Sequence, residues 1–246
     1  EQTDRWHIGI DDANEVSDTN VPDSALYISY DGGASAKYFN YDEEDKSRDR
    51  SYTYAYRTIS LKAGSYYISY DWKCEGLLGE KGDLIDFVKV ALVPIDVAIG
   101  PGTMEVRNNK TGVKYNFDHG LGDGFIFELS ESHANGHGYP NCYALHGADT
   151  WRTTAKSISV SPEQEGIYNL VFFWCNQRIG LDRDVTLPAP MIDNVSIDYE
   201  SCFVPYGLDL ASFTHESVNL VWESLKKPEA YKVVVSTVNL PNPDDL

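Results

Sequence analysis

Apolar residues recur at every second position along much of this chain, and that alternation constrains its fold more than any other feature. Tyr66, Ile68, Tyr70 and Trp72 follow this spacing, so they share one face of a strand, and their bulk marks it as the core side. Segments with helical spacing are nearly absent. Many short strands, separated by turns rich in glycine, asparagine and aspartate, predict an all-β sandwich or barrel.

Two uninterrupted apolar runs, 87–93 and 168–175, depart from the alternation. Such runs are typical of strands that are covered on both faces, so both are predicted to be central strands. Residues 52–61 and 66–73 are predicted to form a hairpin that reverses at the turn-forming residues between them. Weaker strands are predicted at 124–129, 157–160 and 192–199.

The charge of the chain limits its partners. The 246 residues include 38 acidic and 20 basic ones, which give a net charge of −18. Such a surface repels nucleic-acid phosphates, so no nucleic-acid binding is expected. Solubility outside the cell and a supply of carboxylates for hard cations such as calcium are the two explanations considered.

No apolar run is long enough to cross a bilayer, so no membrane insertion is expected. Residues 1–4 carry neither a basic region nor an apolar signal core. The chain is interpreted as a mature or trimmed part of a secreted or cell-surface protein.

The cysteines are too far apart for a Cys-x-x-Cys redox pair or a zinc ribbon. They are Cys74, Cys142, Cys175 and Cys202. Disulfide pairing and buried free thiols are both compatible with this spacing, because a chain of this size does not need covalent cross-links.

The sequence changes character after residue 199, where three short apolar segments follow at 208–210, 217–222 and 230–236. Their spacing resembles the first three strands of a fibronectin type III domain. In that resemblance Trp222 is the core tryptophan and Tyr231 opens the third strand. An immunoglobulin-like domain of this kind needs about seven strands, so residues 204–246 are predicted to be its N-terminal part.

Five phrases stand in a fixed order before that segment. They are WHIG (6–9), LYISYDGG (26–33), AGSYYISYDWK (63–73), GIYNLVFFW (166–174) and PMIDNVSI (190–197). Together they resemble the cleaved-adhesin-like jelly rolls of surface and secreted proteins from Bacteroides-type bacteria. These domains are related in architecture to MAM domains, galactose-binding-like folds and carbohydrate-binding modules. The resemblance spans residues 1–203.

This resemblance implies a jelly-roll sandwich that binds a glycan or a host extracellular protein without catalysis, or that spaces other domains of the same parent protein. It often implies a structural calcium ion. Fold alone does not decide between these roles. The insertion at 94–151 lies outside the familiar pattern, and no role is predicted for it.

Calcium requires several oxygen ligands, and two acidic segments offer them. One is the loop after the first strand, with the residues Asp11, Asp12, Asn14 and Asp18. The other is Asp193 with Asn194, at the start of the last strand of the sandwich, which is expected near the first strand. A solvated loop and a turn-bonding Asp193 are the alternative. Asp71 and Asp86, predicted on neighbouring strands, are second candidates.

Sugar binding favours flat aromatic rings beside polar side chains. Tyr52, Tyr54 and Tyr56 form a stripe on one strand face, and Trp151 with Arg152 lies at the edge of a loop. These five residues are the predicted ligand-binding set. The alternative is that the tyrosines pack beneath the neighbouring acidic loop.

Catalysis has weaker support in the sequence. A glycan hydrolase needs two carboxylates, and Glu128 is a candidate for one, but nothing in the sequence identifies its partner. A serine-hydrolase elbow, a zinc-protease helix, a phosphate loop and a dinucleotide motif are all missing. The leading hypothesis is a non-catalytic binding or adhesion module, with a glycan hydrolase or a purely structural spacer as alternatives.

Overall fold

The computed structural model describes residues 4–9, 24–40, 51–78, 84–100, 105–117, 126–133, 142–177, 185–200, 206–214 and 218–223. The chain divides into two compact units, Glu1–Tyr199 and Glu200–Leu246. The boundary predicted from the sequence, residue 203, lies close to this division. In the described parts of the chain, no helix is long and apolar enough to span a membrane.

Two antiparallel sheets build the first unit. The outer sheet consists, in spatial order, of β1 (Arg5–Gly9), β2 (Ala25–Ser29), β17 (Met191–Glu200), β5 (Gly64–Cys74) and β14 (Ala148–Val160). The inner sheet consists of β11 (Phe127–Glu128), β7 (Leu84–Pro94), β15 (Gly166–Asn176) and β4 (Ser51–Leu61), and β6 (Leu77–Leu78) also pairs with β7.

Shorter elements complete this unit. Strand β3 (Lys37–Asn40) pairs with β16 (Val185–Pro188), and β12 (Ser132–His133) pairs with β13 (Cys142–Tyr143). A three-stranded sheet contains β8 (Val97–Ala98), β9 (Glu105–Asn108) and β10 (Lys114–Asn116). One 3-10 turn, Pro162–Gln164, precedes β15.

The chain alternates between the two main sheets as it proceeds. Strands β4, β7 and β15 lie in the inner sheet, whereas β5, β14 and β17, which follow them in turn, lie in the outer sheet. This winding is that of a jelly roll. The predicted all-β sandwich is therefore confirmed.

The hairpin predicted between β4 and β5 is wrong. Strand β4 pairs with β15, whereas β5 pairs with β14 in the other sheet. One face of β4, with Ala55, Ile59 and Leu61, and the apolar face of β5 point into the same first core, so crossing between the sheets buries them together. Alternation and a glycine-containing turn occur equally in a hairpin and in such a crossing, so the sequence pattern could not separate them.

The inner sheet separates two hydrophobic cores. Val88, Val90 and Leu92 of β7 belong to the first core, between the two sheets. Their neighbours Phe87 and Ala91 belong to the second core, on the opposite face. Strand β15 divides its residues in the same way. The prediction that both apolar runs are central strands covered on two faces is confirmed.

The insertion at 94–151 supplies the cover of the second core. Its buried apolar residues in that core are Val97, Tyr115, Phe117, Ile126 and Ala144. The aromatic contacts are close, with ring centroids 5.0 Å apart between Phe117 and Phe173. The insertion thus forms a third layer, a structural role that the sequence had not indicated.

Two of the cysteines are buried free thiols, as one of the two sequence alternatives proposed. Cys74 lies in the first core and Cys175 in the second, on opposite faces of the inner sheet. The side chain of Cys142 and the whole of Cys202 lie outside the described residues.

The described part of the second unit is one antiparallel pair, β18 (Tyr206–Phe213) and β19 (Val218–Glu223). These strands include most of the predicted segments 208–210 and 217–222. The segment 230–236 lies outside the described residues, and the type III assignment stays a prediction.

Candidate functional site

The outer sheet turns one face to solvent where β5 and β14 pair. Along β5, the buried residues of the first core alternate with Tyr67, Ser69, Asp71 and Lys73, which face outward. Tyr67 is 42% exposed. Opposite it, β14 contributes small exposed side chains, so this part of the sheet is open to solvent.

Asp71 is the centre of a polar cluster on this face, and three strands contribute to it. Thr153 of β14 donates a hydrogen bond from Oγ1 to Asp71 Oδ1, with the two oxygens 2.5 Å apart. Asn194 of β17 donates from Nδ2 to Asp71 Oδ2 over 2.8 Å. These three residues are named the Asp71 cluster. An aspartate inside a strand is disfavoured, and the two donors explain how it is accommodated.

Asn194 adopts a left-handed backbone conformation, with a φ angle of 48°. Its strand also loses the usual alternation, because the consecutive residues Met191 and Ile192 are both buried. Asparagine tolerates this conformation better than most residues with a side chain. The irregularity places the amide of Asn194 against the carboxylate of Asp71.

The edge of the same sheet carries a second polar group, named the edge cluster. The indole N–H of Trp72 donates to Thr154 Oγ1, and Thr154 donates to Glu131 Oε1, each over 2.8 Å. The guanidinium carbon of Arg152 lies 5.8 Å from the centre of the Trp72 ring. A register shift between Ala148 and Arg152 marks a bulge in this edge strand. Bulges at sheet edges often redirect side chains next to binding sites.

The predicted ligand-binding residues fall on different sheets. Trp151, partly buried against the first core, and the exposed Arg152, which lies over the Trp72 ring, belong to the edge strand β14 of the outer sheet. The tyrosine stripe belongs to β4 of the inner sheet. Their assignment as ligand-binding residues stays a prediction.

The three tyrosines share one face of β4, but their environments differ. Tyr52 stacks on Phe173, and Tyr54 contacts both Phe173 and Phe117 within the second core. Burial raises the pKa of the Tyr54 hydroxyl. Tyr56 is 60% exposed. Two of the three rings therefore pack against the second core, which the insertion covers, and they do not form an open platform. The acidic loop of the sequence alternative lies outside the described residues.

The predicted calcium ligands are only partly described. Asp11, Asp12 and Asp18 lie outside the described residues, and Asp193 is half-buried on β17 beside Asn194. Within the described ranges, no group of three or more histidine, cysteine, aspartate or glutamate side chains is arranged to hold a metal ion. The calcium site stays a prediction.

Asp71 and Asp86 do not lie on neighbouring strands, and that prediction is wrong. Asp71 belongs to the outer sheet and Asp86 to β7 of the inner sheet, because the chain changes sheet between them. Asp86 is fully buried. It accepts hydrogen bonds from the hydroxyl of Tyr38 at 3.0 Å and the backbone N–H of Gln177 at 3.1 Å.

A second buried carboxylate lies at the same end of the sandwich. Asp4 accepts hydrogen bonds from Asn176 Nδ2 at 2.8 Å and from the backbone N–H of Phe39 at 3.2 Å. Burial raises the pKa of Asp86 to about 7, and the nearby Asp4 adds to that increase. Because donors surround both carboxylates, they act here as structural acceptors. Asp86 was singled out in the sequence as an aspartate on a predicted strand, whereas no sequence pattern distinguished Asp4 from a surface aspartate.

Glu128, the candidate acid of the hydrolase alternative, faces the second core. Its carboxylate lies 3.5 Å from the ammonium group of Lys89, which is fully buried. Burial raises the pKa of Glu128, while the charge of Lys89 acts in the opposite direction. The side chain of Glu128 is only 14% exposed, so it does not project into an open groove.

Comparison with known proteins gave no family assignment. No family model matches the chain, and no curated protein matches it. Among solved structures, the enzymatically active domain of bacteriophage CBA120 tailspike protein 4 aligns over 81% of this chain with 11% identity and a TM-score of 0.37. This chain covers only 18% of that protein's chain.

A second solved structure is TmCBM61 in complex with β-1,4-galactotriose. It aligns over 79% of this chain and 88% of its own, with 14% identity and a TM-score of 0.31. Similarities at this level do not establish a common function.

Proposed function

We propose that residues 1–203 form a non-catalytic glycan-binding module of a larger secreted or cell-surface protein, with its site on the open face of the outer sheet. The observation that carries this proposal is the Asp71 cluster. It is a carboxylate held by two donors on a solvent-exposed sheet face, in line with the exposed ring of Tyr67.

The chemistry of this face suits sugars. Aromatic rings stack on the apolar faces of pyranoses, and carboxylates accept hydrogen bonds from their hydroxyl groups. Tyr67 and Asp71 point the same way along β5. At the rise of a strand they are separated by about 13 Å, which exceeds a single sugar ring. The face therefore suits an oligosaccharide better than a monosaccharide.

The edge cluster is not part of this open face. Trp72 belongs to the first core and Thr154 is buried, on the side of the sheet opposite Asp71. At the margin of the sheet, the exposed Arg152 offers donors and Glu131 offers an acceptor, and Trp151, partly buried against the first core, precedes Arg152. In this proposal these groups contact a ligand that extends beyond the edge strand.

The first test compares two exposed tyrosines on different sheets. The purified chain is incubated on a panel of glycans and extracellular matrix proteins, and bound glycans are measured by titration calorimetry. We expect Tyr67→Ala to lower the affinity for the glycan about tenfold or more, because the aromatic ring that stacks on a sugar is lost. Tyr56→Ala, the matched control on the inner sheet, is expected to change affinity less than twofold.

The outcomes separate the alternatives. Loss of binding with Tyr56→Ala but not with Tyr67→Ala would move the site to the inner sheet. Binding to matrix proteins alone would favour an adhesin for host proteins. No binding to any glycan or protein of the panel would favour a structural spacer. Turnover of a bound oligosaccharide would contradict the non-catalytic part of the proposal.

Calcium is included in the proposal as a structural ion held by Asp11, Asp12, Asp18 and Asp193. Running the panel once with calcium and once with chelator tests this. Calcium-dependent binding, lost in an Asp12→Asn variant, is the expected result. Identical binding and identical thermal stability under both conditions would remove calcium from the proposal.

A further inference from the structure

We infer that the Asp71 cluster selects neutral sugars that carry two free hydroxyl groups on adjacent carbons. This inference rests on the proposed function, because it specifies the ligand of the same site. It adds a chemical requirement that a general glycan-binding surface does not have.

The carboxylate of Asp71 has unused hydrogen-bonding capacity. An ionised carboxylate offers about four lone-pair positions on its two oxygens. Thr153 occupies one position on Oδ1, and Asn194 occupies one on Oδ2. Among the described residues, no further side chain donates to Asp71, so one position on each oxygen is left for two donors from a ligand.

The Asp71 carboxylate is also fixed in orientation. Donors from β14 on one side and β17 on the other hold the carboxylate, so its rotation is restricted before a ligand arrives. Preorganisation of this kind reduces the entropy lost on binding. Two hydroxyl groups on adjacent carbons present two parallel donors, which match the two available oxygens of a single carboxylate.

The charge of Asp71 disfavours anionic sugars. A ligand carboxylate next to Asp71 would place two negative charges together, on a chain whose net charge is −18. Lys73 lies half-buried on the same face and supplies one positive charge. We expect repulsion by Asp71 to outweigh that attraction at the position of the diol. Uronic acids are therefore expected to bind more weakly than the corresponding neutral sugars.

This requirement translates into a preference between linkages. An internal unit of a 1,4-linked hexose chain keeps free hydroxyls on carbons 2 and 3, whereas an internal unit of a 1,3-linked chain has no such adjacent pair. The site is therefore expected to favour 1,4-linked over 1,3-linked chains of the same sugar.

The test uses defined probes. Hexaoses of β-1,4-linked glucose, galactose and mannose are titrated against the chain, together with the β-1,3-linked glucose hexaose and a galacturonic acid oligomer. We expect at least one neutral 1,4-linked hexaose to bind. Methylation of its hydroxyls on carbons 2 and 3 is expected to abolish that binding, and the galacturonic acid oligomer is expected to bind at least tenfold more weakly.

Two variants then test whether the preference for adjacent hydroxyl groups depends on Asp71. Asp71→Asn keeps the shape but replaces one acceptor oxygen by a donor, so affinity is expected to fall about tenfold or more. Asp198→Asn is the matched control, because Asp198 is an exposed carboxylate on β17 that binds Ser196 instead. It removes the same charge from the same sheet, and we expect less than a twofold change.

A third variant covers the case in which Asp71→Asn unfolds the chain. Thr153→Val removes the donor to Oδ1 and leaves the carboxylate in place, so a smaller loss of affinity is expected. If methylated and unmethylated hexaoses bind equally in a manner that depends on Tyr67, the diol requirement is overturned and the proposed function stands. If no probe binds but the chain captures another glycan of the panel, the diol requirement is overturned and the proposed function stands. If neither the probes nor the panel bind, both are overturned.

Discussion

The inner and outer sheets contain similar side chains but use them differently. Strands β7 and β15 of the inner sheet bury residues on both faces, while β5 of the outer sheet buries one face and exposes the other. Tyr54 and Tyr67 illustrate the contrast, because one ring fills the second core and the other faces solvent. Residue type alone therefore does not identify a binding surface. Whether a further layer covers that face of the sheet determines whether a tyrosine is buried or exposed.

The largest expected effect comes from removing a ring of the inner sheet. Phe173 is fully buried and contacts Phe87 and Phe117 in the second core. We expect Phe173→Ala to lower the free energy of unfolding by about 3–5 kcal/mol. Denaturant unfolding of the purified variant measures this change. A loss below about 1 kcal/mol would contradict the idea that the insertion and the inner sheet share a packed core.

The next effect concerns pH and the buried Asp86 of the inner sheet. Its pKa rises from 3.8 to about 7 in the folded chain. Between these two pH values the folded state therefore keeps the proton of Asp86, whereas the unfolded state has released it. Stability contributed by this group is therefore complete below pH 4 and is lost as the pH rises through about 7. The change amounts to at most about 4 kcal/mol.

Asp86→Asn provides the matching variant. Because the amide does not ionise, the stability difference in its favour is expected to grow between pH 4 and pH 8. Thermal unfolding at several pH values measures it, and the lowest pH serves as the internal control. Parallel curves for the two proteins across the whole range would show that Asp86 does not ionise with a raised pKa.

The smallest effect belongs to the outer sheet. Asn194→Ala removes the hydrogen bond to Asp71 and places an alanine at a φ of 48°, so a loss of about 1 kcal/mol is expected. Asn194→Gly loses the same hydrogen bond without the backbone cost and is expected to be the more stable variant. Equal unfolding midpoints for the two variants would contradict the left-handed conformation.

The fold was largely predictable because alternation and continuous apolar runs report burial directly. The runs at 87–93 and 168–175 indicated strands covered on both faces, and the structure confirms it. The pairing of β4 was not predictable, since a turn between sheets and a turn within a sheet have similar local sequences. The identity of the layer that covers the second core depends on contacts between distant residues, which a single sequence does not display.

The candidate site was less predictable than the fold. Asp71 was noticed because an aspartate inside a strand requires a partner, but its partners, Thr153 and Asn194, come from strands far away in sequence. Asn194 appeared in the sequence as a possible metal ligand and as part of the fifth phrase, and not as a partner of Asp71. The outward direction of Tyr67 was predictable, because its neighbours Tyr66 and Ile68 were assigned to the core face of β5. An exposed tyrosine by itself, however, carries no sequence signal for ligand binding.

The third layer also limits which segments of the protein can be deleted when the sandwich is produced alone or fused to another protein. A designer working from the jelly-roll pattern would treat the insertion as a dispensable loop and replace it by a short linker. The shortened protein would carry a bare strip of aromatic rings around Phe173 and Tyr54. Such an exposed aromatic strip promotes self-association, so any shortened recombinant protein has to retain the insertion together with the sandwich.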